Sequence, residues 1–178
     1  MPRSPRPRRS AARSPPSSPC TPRQRRTSRA RSCDRGALLT RITVRFPVPA
    51  DRAFAYLADP RNRPEWQSSL RKVTDVVLVD GDVTAAGTTW TDVTVVPGVR
   101  PRMRTTTSEP PHRWIEDGAF GPFRARLELV ITPDGDGCLV VADFDVRGVG
   151  VGAPLTWGSR GAVAADLRRA GRALSHRA

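Results

Sequence analysis

Cysteine and histidine are scarce. The three cysteines (Cys20, Cys33, Cys138) and two histidines (His112, His176) share no spacing that would hold a metal, so no metal site is expected. An odd, sparse cysteine set also argues against a disulfide scaffold, which makes a reducing, cytoplasmic setting the expectation. No run of about 18 apolar residues occurs, so no helical membrane span is expected. The Arg-rich start lacks the apolar stretch of a secretion signal. Lysine occurs once, at Lys72, and asparagine once, at Asn62. Aromatic residues are only 6% of the 178, yet four of them are tryptophans.

Charge is abundant but uneven. The formal net charge is +13, from 30 Lys and Arg against 17 Asp and Glu. Residues 1–35 hold 11 Arg and one acid, Asp34, leaving 19 basic and 16 acidic residues for the rest. The basic character therefore belongs mostly to the N-terminal stretch, and nucleic acid is not an expected partner except through it. This stretch contains no Val, Ile, Leu, Phe, Trp or Tyr, but seven Pro and seven Ser. It cannot bury enough apolar surface to offset its ordering entropy, so residues 1–36 are expected to form a disordered tail. Three readings of it stay open: a phosphate-touching arm, a transit peptide without an apolar face, or a stretch upstream of the working start. Residues 37–178 are expected to form one domain.

In that domain, Ile42, Val44, Phe46 and Val48 alternate with Arg41, Thr43, Arg45 and Pro47, the period of a half-buried strand. Pro49-Ala50-Asp51 opens a short helix with Ala50, Ala53, Phe54 and Leu57 on one side, and Asp59-Pro60 ends it. A second helical turn is predicted over residues 61–67. Six further strands are predicted near 70–79, 88–96, 99–107, 113–118, 123–132 and 138–147, with Gly and Pro between nearly all of them. Short connections favour an antiparallel meander. For the last hairpin, opposite charges suggest a register that pairs Arg124 with Asp145 and Arg126 with Asp143. A long helix from Leu155 or Gly161 to Ser175 carries the stripe Val163, Leu167, Ala170, Leu174. The expected class is α+β: a curved antiparallel sheet of about seven strands around a long C-terminal helix, with two short helices after the first strand. The space between sheet and helix is the natural ligand site.

The segment from Phe46 to Pro60, FPVPADRAFAYLADP, resembles the opening of the SRPBCC superfamily, the helix-grip group of START-like, polyketide cyclase/dehydrase-like and birch-allergen-like proteins. Arg61-Asn62-Arg63-Pro64-Glu65-Trp66 resembles that group's "DP…PEW" turn. The order of elements agrees over residues 39–174. The resemblance implies a fold and a cavity but not one function, because the group holds lipid carriers, cyclases, hormone receptors and coenzyme-binding proteins.

Candidate ligand-binding residues are Phe54, Trp66, Trp90, Met103, Trp114, Phe123, Phe144 and Trp157, each weighed against plain core packing. Trp66 is favoured as a pocket wall, since the resemblance places its turn near the cavity mouth. Candidate catalytic groups are Glu116 and His112, which share strand parity with Trp114. Facing inward, Glu116 would have a raised pKa and could move protons. The plainer reading, which the sequence favours, leaves both at the solvated ends of a short strand. Asp92 is the other candidate, on the parity of Trp90; Thr88 and Thr94 share it, which reads also as a solvent-exposed face. Arg100, Arg102 and Arg104 read as a solvated basic face. Gly148-Val149-Gly150-Val151-Gly152-Ala153 lacks the following strand and ribose-binding acid of a dinucleotide site, so no cofactor is expected. Ser159 sits in no nucleophile motif, and Cys138 is expected to be an inert core thiol.

The first functional expectation is therefore binding of a small hydrophobic molecule, a lipid or an aromatic polyketide-like compound. The alternative is a polyketide cyclase or dehydratase using Glu116 or His112. A third is a nucleic-acid-associated protein acting through the tail. The exposed edge strands of an open sheet could pair, and the sequence assigns no oligomeric state.

Overall fold

The alternation at the start becomes strand β1 (Thr40–Phe46), with Ile42, Val44 and Phe46 buried and Arg41, Thr43 and Arg45 exposed. The structure is a computed structural model that describes residues 40–148 and 153–177, with side chains at 41–148 and 161–177. The expected tail, the glycine run at 149–152, and the side chains of Leu155, Trp157 and Ser159 lie outside the described residues.

Helix α1 (Ala50–Ala58) follows Pro49 and buries Ala53, Phe54 and Leu57. Asp51 lies in its first turn, where the helix dipole favours an acid. Asp59, extended as the residue before a proline must be, ends the helix. Its carboxylate accepts the Arg61 N–H at 2.9 Å and starts a 3₁₀ turn (Pro60–Asn62) that runs into helix α2 (Arg63–Trp66).

The meander then runs through β2 (Leu70–Val77), β3 (Thr89–Thr94), β4 (Arg102–Glu109), β5 (Arg113–Phe120), β6 (Phe123–Asp134) and β7 (Gly137–Arg147). It forms one antiparallel seven-stranded sheet in the order β1-β7-β6-β5-β4-β3-β2. The segment carrying α1 and α2 thus joins the two edge strands, β1 and β2. Irregularities between Leu70 and Lys72, Thr74 and Val77, and Thr105 and Thr107 break the ladders, and such bulges increase local twist and bend the sheet. Helix α3 (Ala153–Ser175) begins before either start the sequence suggested. It turns Leu167, Ala170 and Leu174 to the core, with Val163 partly buried against it. Cys138 is a fully buried free thiol whose pKa burial pushes up, which leaves it unreactive.

The last hairpin corrects the charge-based register. Arg126, not Arg124, stands opposite Asp145, Arg124 faces Arg147, and Glu128 faces Asp143. The pairing is shifted by two residues, so the inward set is unchanged while the charge pairs are not. Turn geometry decides it. Asp134 pairs with Gly137 around the two-residue loop Gly135-Asp136, and Gly135 takes φ +59°. A glycine adopts this left-handed conformation without strain, which sets the hairpin register. The displaced charges find other partners: Arg126 meets Asp117 at 3.3 Å, Arg147 meets Asp145 at 2.6 Å, and Arg41 meets Asp143 at 3.6 Å.

Replacing Gly135 by Ala should lower stability by about 1 kcal/mol, because an L-residue strains in the left-handed region. The nearest atom to a Cβ there is 3.9 Å away, so packing adds nothing to the effect. Denaturant unfolding checks this, and an unchanged midpoint would show that the turn does not hold the register.

Candidate functional site

A cavity of about 550 Å³ lies between the concave face of the sheet and helices α2 and α3. Its sheet wall is built by alternation. Met103, Gly118, Ala125 and Val146 form one row across β4 to β7, and Glu116, Leu127 and Phe144 form the next. Trp66 and Leu70 come from α2 and the start of β2, while Val163, Asp166 and Leu167 come from α3. Gly118 helps open the space: a Cβ there would lie 2.6 Å from the Met103 sulfur. The β3–β4 and β5–β6 loops bound one end through Val99, Phe120 and Phe123. Phe120 and the nearby Val95 and Val96 are exposed.

A charged cluster interrupts this apolar lining. Arg63, only 2% exposed, donates from Nη1 to Glu116 Oε2 and from Nη2 to Asp92 Oδ2, the latter at 3.1 Å. Trp90 Nε1 donates to the other Asp92 oxygen at 3.0 Å, and the Arg63 guanidinium lies 5.3 Å from the centre of the Trp90 ring. All three charged residues line the cavity. One guanidinium thus faces two carboxylates in a nearly water-free setting. Burial pushes the Glu116 pKa above the ordinary carboxylate range. Arg63 pulls it back in part, while Asp92 and Asp117 push it further up. Burial also works against the Arg63 charge, but the two carboxylates outweigh it and the guanidinium stays protonated. Asp166, which also lines the cavity, accepts the Ser68 N–H at 3.0 Å and ties α3 to the chain after α2.

The structure separates the sequence candidates. Trp66, Met103, Phe123, Phe144 and Glu116 line the cavity. Phe54, Trp90 and Trp114 do not; they belong to the core. Trp90 and Trp114 stack with ring centres 6.3 Å apart and planes 12° from parallel. The expected exposure of the Asp92 face is corrected: Thr88, Trp90 and Asp92 are all buried. Glu116 is likewise buried, within a full eight-residue strand, and does not sit at a solvated end. His112 is exposed in the β4–β5 turn, away from the cavity, because the strand starts only at Arg113. Arg100, Arg102 and Arg104 are exposed.

Sequence reasoning gave no role to Arg63 or Asp166. Arg63 stands three residues before Trp66, a spacing that puts both on one side of a helical turn. Asp166 is the only acid on α3 and sits within its apolar stripe. Both signals were available. A second cluster closes the C-terminal end: Glu65 accepts from the Tyr56 hydroxyl at 2.9 Å and from Arg177 at 2.8 Å. Burial, helped by Glu65, raises the Tyr56 pKa, so the hydroxyl remains a donor.

The family model described as "Polyketide cyclase / dehydrase and lipid transport" matches residues 39–177. No curated protein matches the chain. Among solved structures, the KanY protein (ms6282) is 17% identical with a TM-score of 0.61, covering 79% of this chain and 99% of its own. DR_A0006 from Deinococcus radiodurans is 23% identical with a TM-score of 0.54, covering 74% and 93%. TTHA0849 from Thermus thermophilus is 20% identical with a TM-score of 0.56, covering 74% and 93%. At these identities the likeness shows the fold.

The raised Glu116 pKa predicts a pH-dependent stability. Below the ordinary carboxylate range, folded and unfolded chains both hold the proton. As pH rises through the window up to the raised value, only the unfolded chain releases it, so stability falls. Glu116→Gln has no such proton. The melting temperature of the wild type relative to this variant should therefore decline with rising pH across that window. A difference that stays flat or rises would show that Glu116 is not held protonated.

Proposed function

Since the chain belongs to the polyketide cyclase/dehydrase and lipid transport family, we propose that it binds a small hydrophobic molecule, a lipid or an aromatic polyketide-like compound, between the sheet and α3. One observation carries this reading: a 550 Å³ cavity walled by Trp66, Leu70, Met103, Phe123, Leu127, Phe144 and Leu167. This is the size and character of a small-molecule site. Burying an apolar ligand there is favoured by roughly 25 cal/mol per Å² of surface removed from water, less the cost of immobilising it.

The Glu116–Arg63–Asp92 cluster favours a second reading, an enzyme of the cyclase or dehydratase type. A carboxyl group whose pKa is raised by burial beside an apolar cavity is suited to proton transfer, as acid when it holds the proton and as base when it does not. Arg63 would hold the carboxyl in place through both states. In this reading Glu116 is the proton-moving group, and His112, exposed in its turn, has no part.

Native mass spectrometry of the protein purified from its source organism should show an organic adduct that is lost on denaturation. Val163→Trp, which fills the cavity from a half-buried helix position, should remove the adduct while leaving the melting temperature within a few degrees. A clean mass, with no uptake of any apolar probe in solution, would overturn the binding reading. Glu116→Gln separates the two readings. A carrier keeps its adduct and loses nothing else, whereas an enzyme loses at least roughly 100-fold in turnover with ligand affinity retained.

A further inference from the structure

The face of the sheet turned away from α3 carries a second hollow, of about 580 Å³. Met103, Gly118 and Ala125 line the inner cavity, so alternation turns Arg102, Ala119 and Arg124 outward. In the ladder these three residues form one row across the sheet, with Thr91 before them on β3 and Arg147 after them on β7. The row holds no carboxylate. Arg104 follows two residues after Arg102 on the same face, and Arg102, Arg104 and Arg124 all line the hollow. Ala119 and Arg124, at the end of the β5–β6 hairpin, border the inner cavity as well.

The chain has no acid from Val93 to Ser108 and none from Gly118 to Leu127. Arg102 and Arg104 make no ion pair or side-chain hydrogen bond among the described residues. Arg124 donates from Nη1 to the Gly121 and Phe123 carbonyls, each at 2.8 Å, which fixes the side chain and leaves Nε and Nη2 uncommitted. Two carboxylates also face the hollow. Asp117 is taken by Arg126 at 3.3 Å, and Asp75, on the edge strand β2, accepts from the Thr74 hydroxyl at 3.0 Å. One acid without a cation therefore faces three guanidiniums, and the counter-charge has to come from outside the chain.

We propose that this hollow is a phosphate site, in which Arg102 and Arg124 hold the phosphate of a phosphomonoester between them above Ala119. The site is separate from whatever the inner cavity binds. Arg102 and Arg124 stand two strands apart, about 10 Å between Cα atoms. Ala119 lies between them, and its methyl group leaves open a gap that a larger side chain would fill. A guanidinium presents a fork of N–H donors that matches two oxygens of one anion. A carboxylate is used up by one such fork. A phosphomonoester has three terminal oxygens and nearly two negative charges, so it takes a fork from each side of the gap.

Glycerol 3-phosphate tests this, because it is a phosphomonoester with no apolar part for the inner cavity to take. Its dissociation constant is read by isothermal titration calorimetry on the full chain at low ionic strength, where exposed charges are least screened. Arg102→Gln with Arg124→Gln should raise the constant at least roughly tenfold. Ala119→Leu keeps every charge, fills the gap, and should raise it at least roughly fivefold. Arg168→Gln with Arg169→Gln removes the same charge from exposed positions on α3 and should change it less than about twofold. Circular dichroism confirms that each variant is folded. Sedimentation with phosphatidylcholine vesicles, with and without phosphatidic acid, separates the sources of the phosphate. Uptake that needs phosphatidic acid and falls in the same variants assigns it to a lipid headgroup, and uptake absent or unreduced leaves a soluble phosphomonoester. Binding of neither probe, a constant unchanged by the arginine pair or by Ala119→Leu, or an equal loss in the α3 pair would overturn the phosphate site. None of these outcomes bears on the inner cavity.

Discussion

Arg63 reaches from a single helical turn to a carboxylate on β3 and another on β5, 29 and 53 residues further along the chain. Three charged side chains are removed from water to make these contacts. The desolvation costs several kcal/mol per ion, and the mutual attraction offsets it only because hydrogen bonds fix the geometry. An apolar trio would hold α2 against the sheet at lower cost. The arrangement nevertheless decides much of what surrounds it. It fixes where α2 crosses the concave face, and hence where Trp66 stands as a wall. It also brings Asp92 and Glu116 inward beside the buried Trp90 and Trp114 of the same strands. With two carboxylates beside one guanidinium in a buried setting, it also raises the Glu116 pKa. The charged cluster in the cavity wall is assembled around this one residue.

Local patterns made most of the fold legible in the sequence. Alternation located β1 and the six strands of the meander, Asp59-Pro60 located the end of α1, and the Val163–Leu174 stripe located the packed part of α3. The register of the last hairpin was not legible from charge. A surface ion pair is worth at most about 1 kcal/mol and finds another partner easily, whereas a left-handed glycine has a fixed place in its turn. Asp92 misled for a related reason. Thr88 and Thr94 on its parity suggested a wet face, but Thr88 is fully buried and hydrogen-bonded to the Asp82 carbonyl, and Thr94 is half-buried. For Arg63 the only local signal was its spacing from Trp66 in a four-residue helix, and its partners are distant in sequence.

The tryptophans show the limit of composition as a guide to a site. Trp90 and Trp114 stack in the core, and only Trp66 of the three whose side chains are described faces the ligand space. The cavity is set instead by where large residues are missing. Gly118 and Ala125 sit side by side on β5 and β6, flanked by Met103 and Val146 in the same row. A strongly bent sheet cannot press its whole concave face against one helix, and small residues at the deepest row enlarge the gap that bending leaves.

Cavity and cluster are coupled through water. An apolar occupant displaces solvent from the wall that carries Arg63, Asp92 and Glu116, and so lowers the local dielectric. Both the penalty for an uncompensated carboxylate and the attraction of Arg63 for its partners grow as this happens. The guanidinium can neutralise only one carboxylate, so the excess charge becomes costlier and the already raised Glu116 pKa is pushed further up. Occupancy and protonation then favour each other by thermodynamic linkage. The same contacts serve a carrier as a pH-dependent grip and an enzyme as a loaded acid. The difference between those roles lies in whether the ligand has a bond that the proton can change.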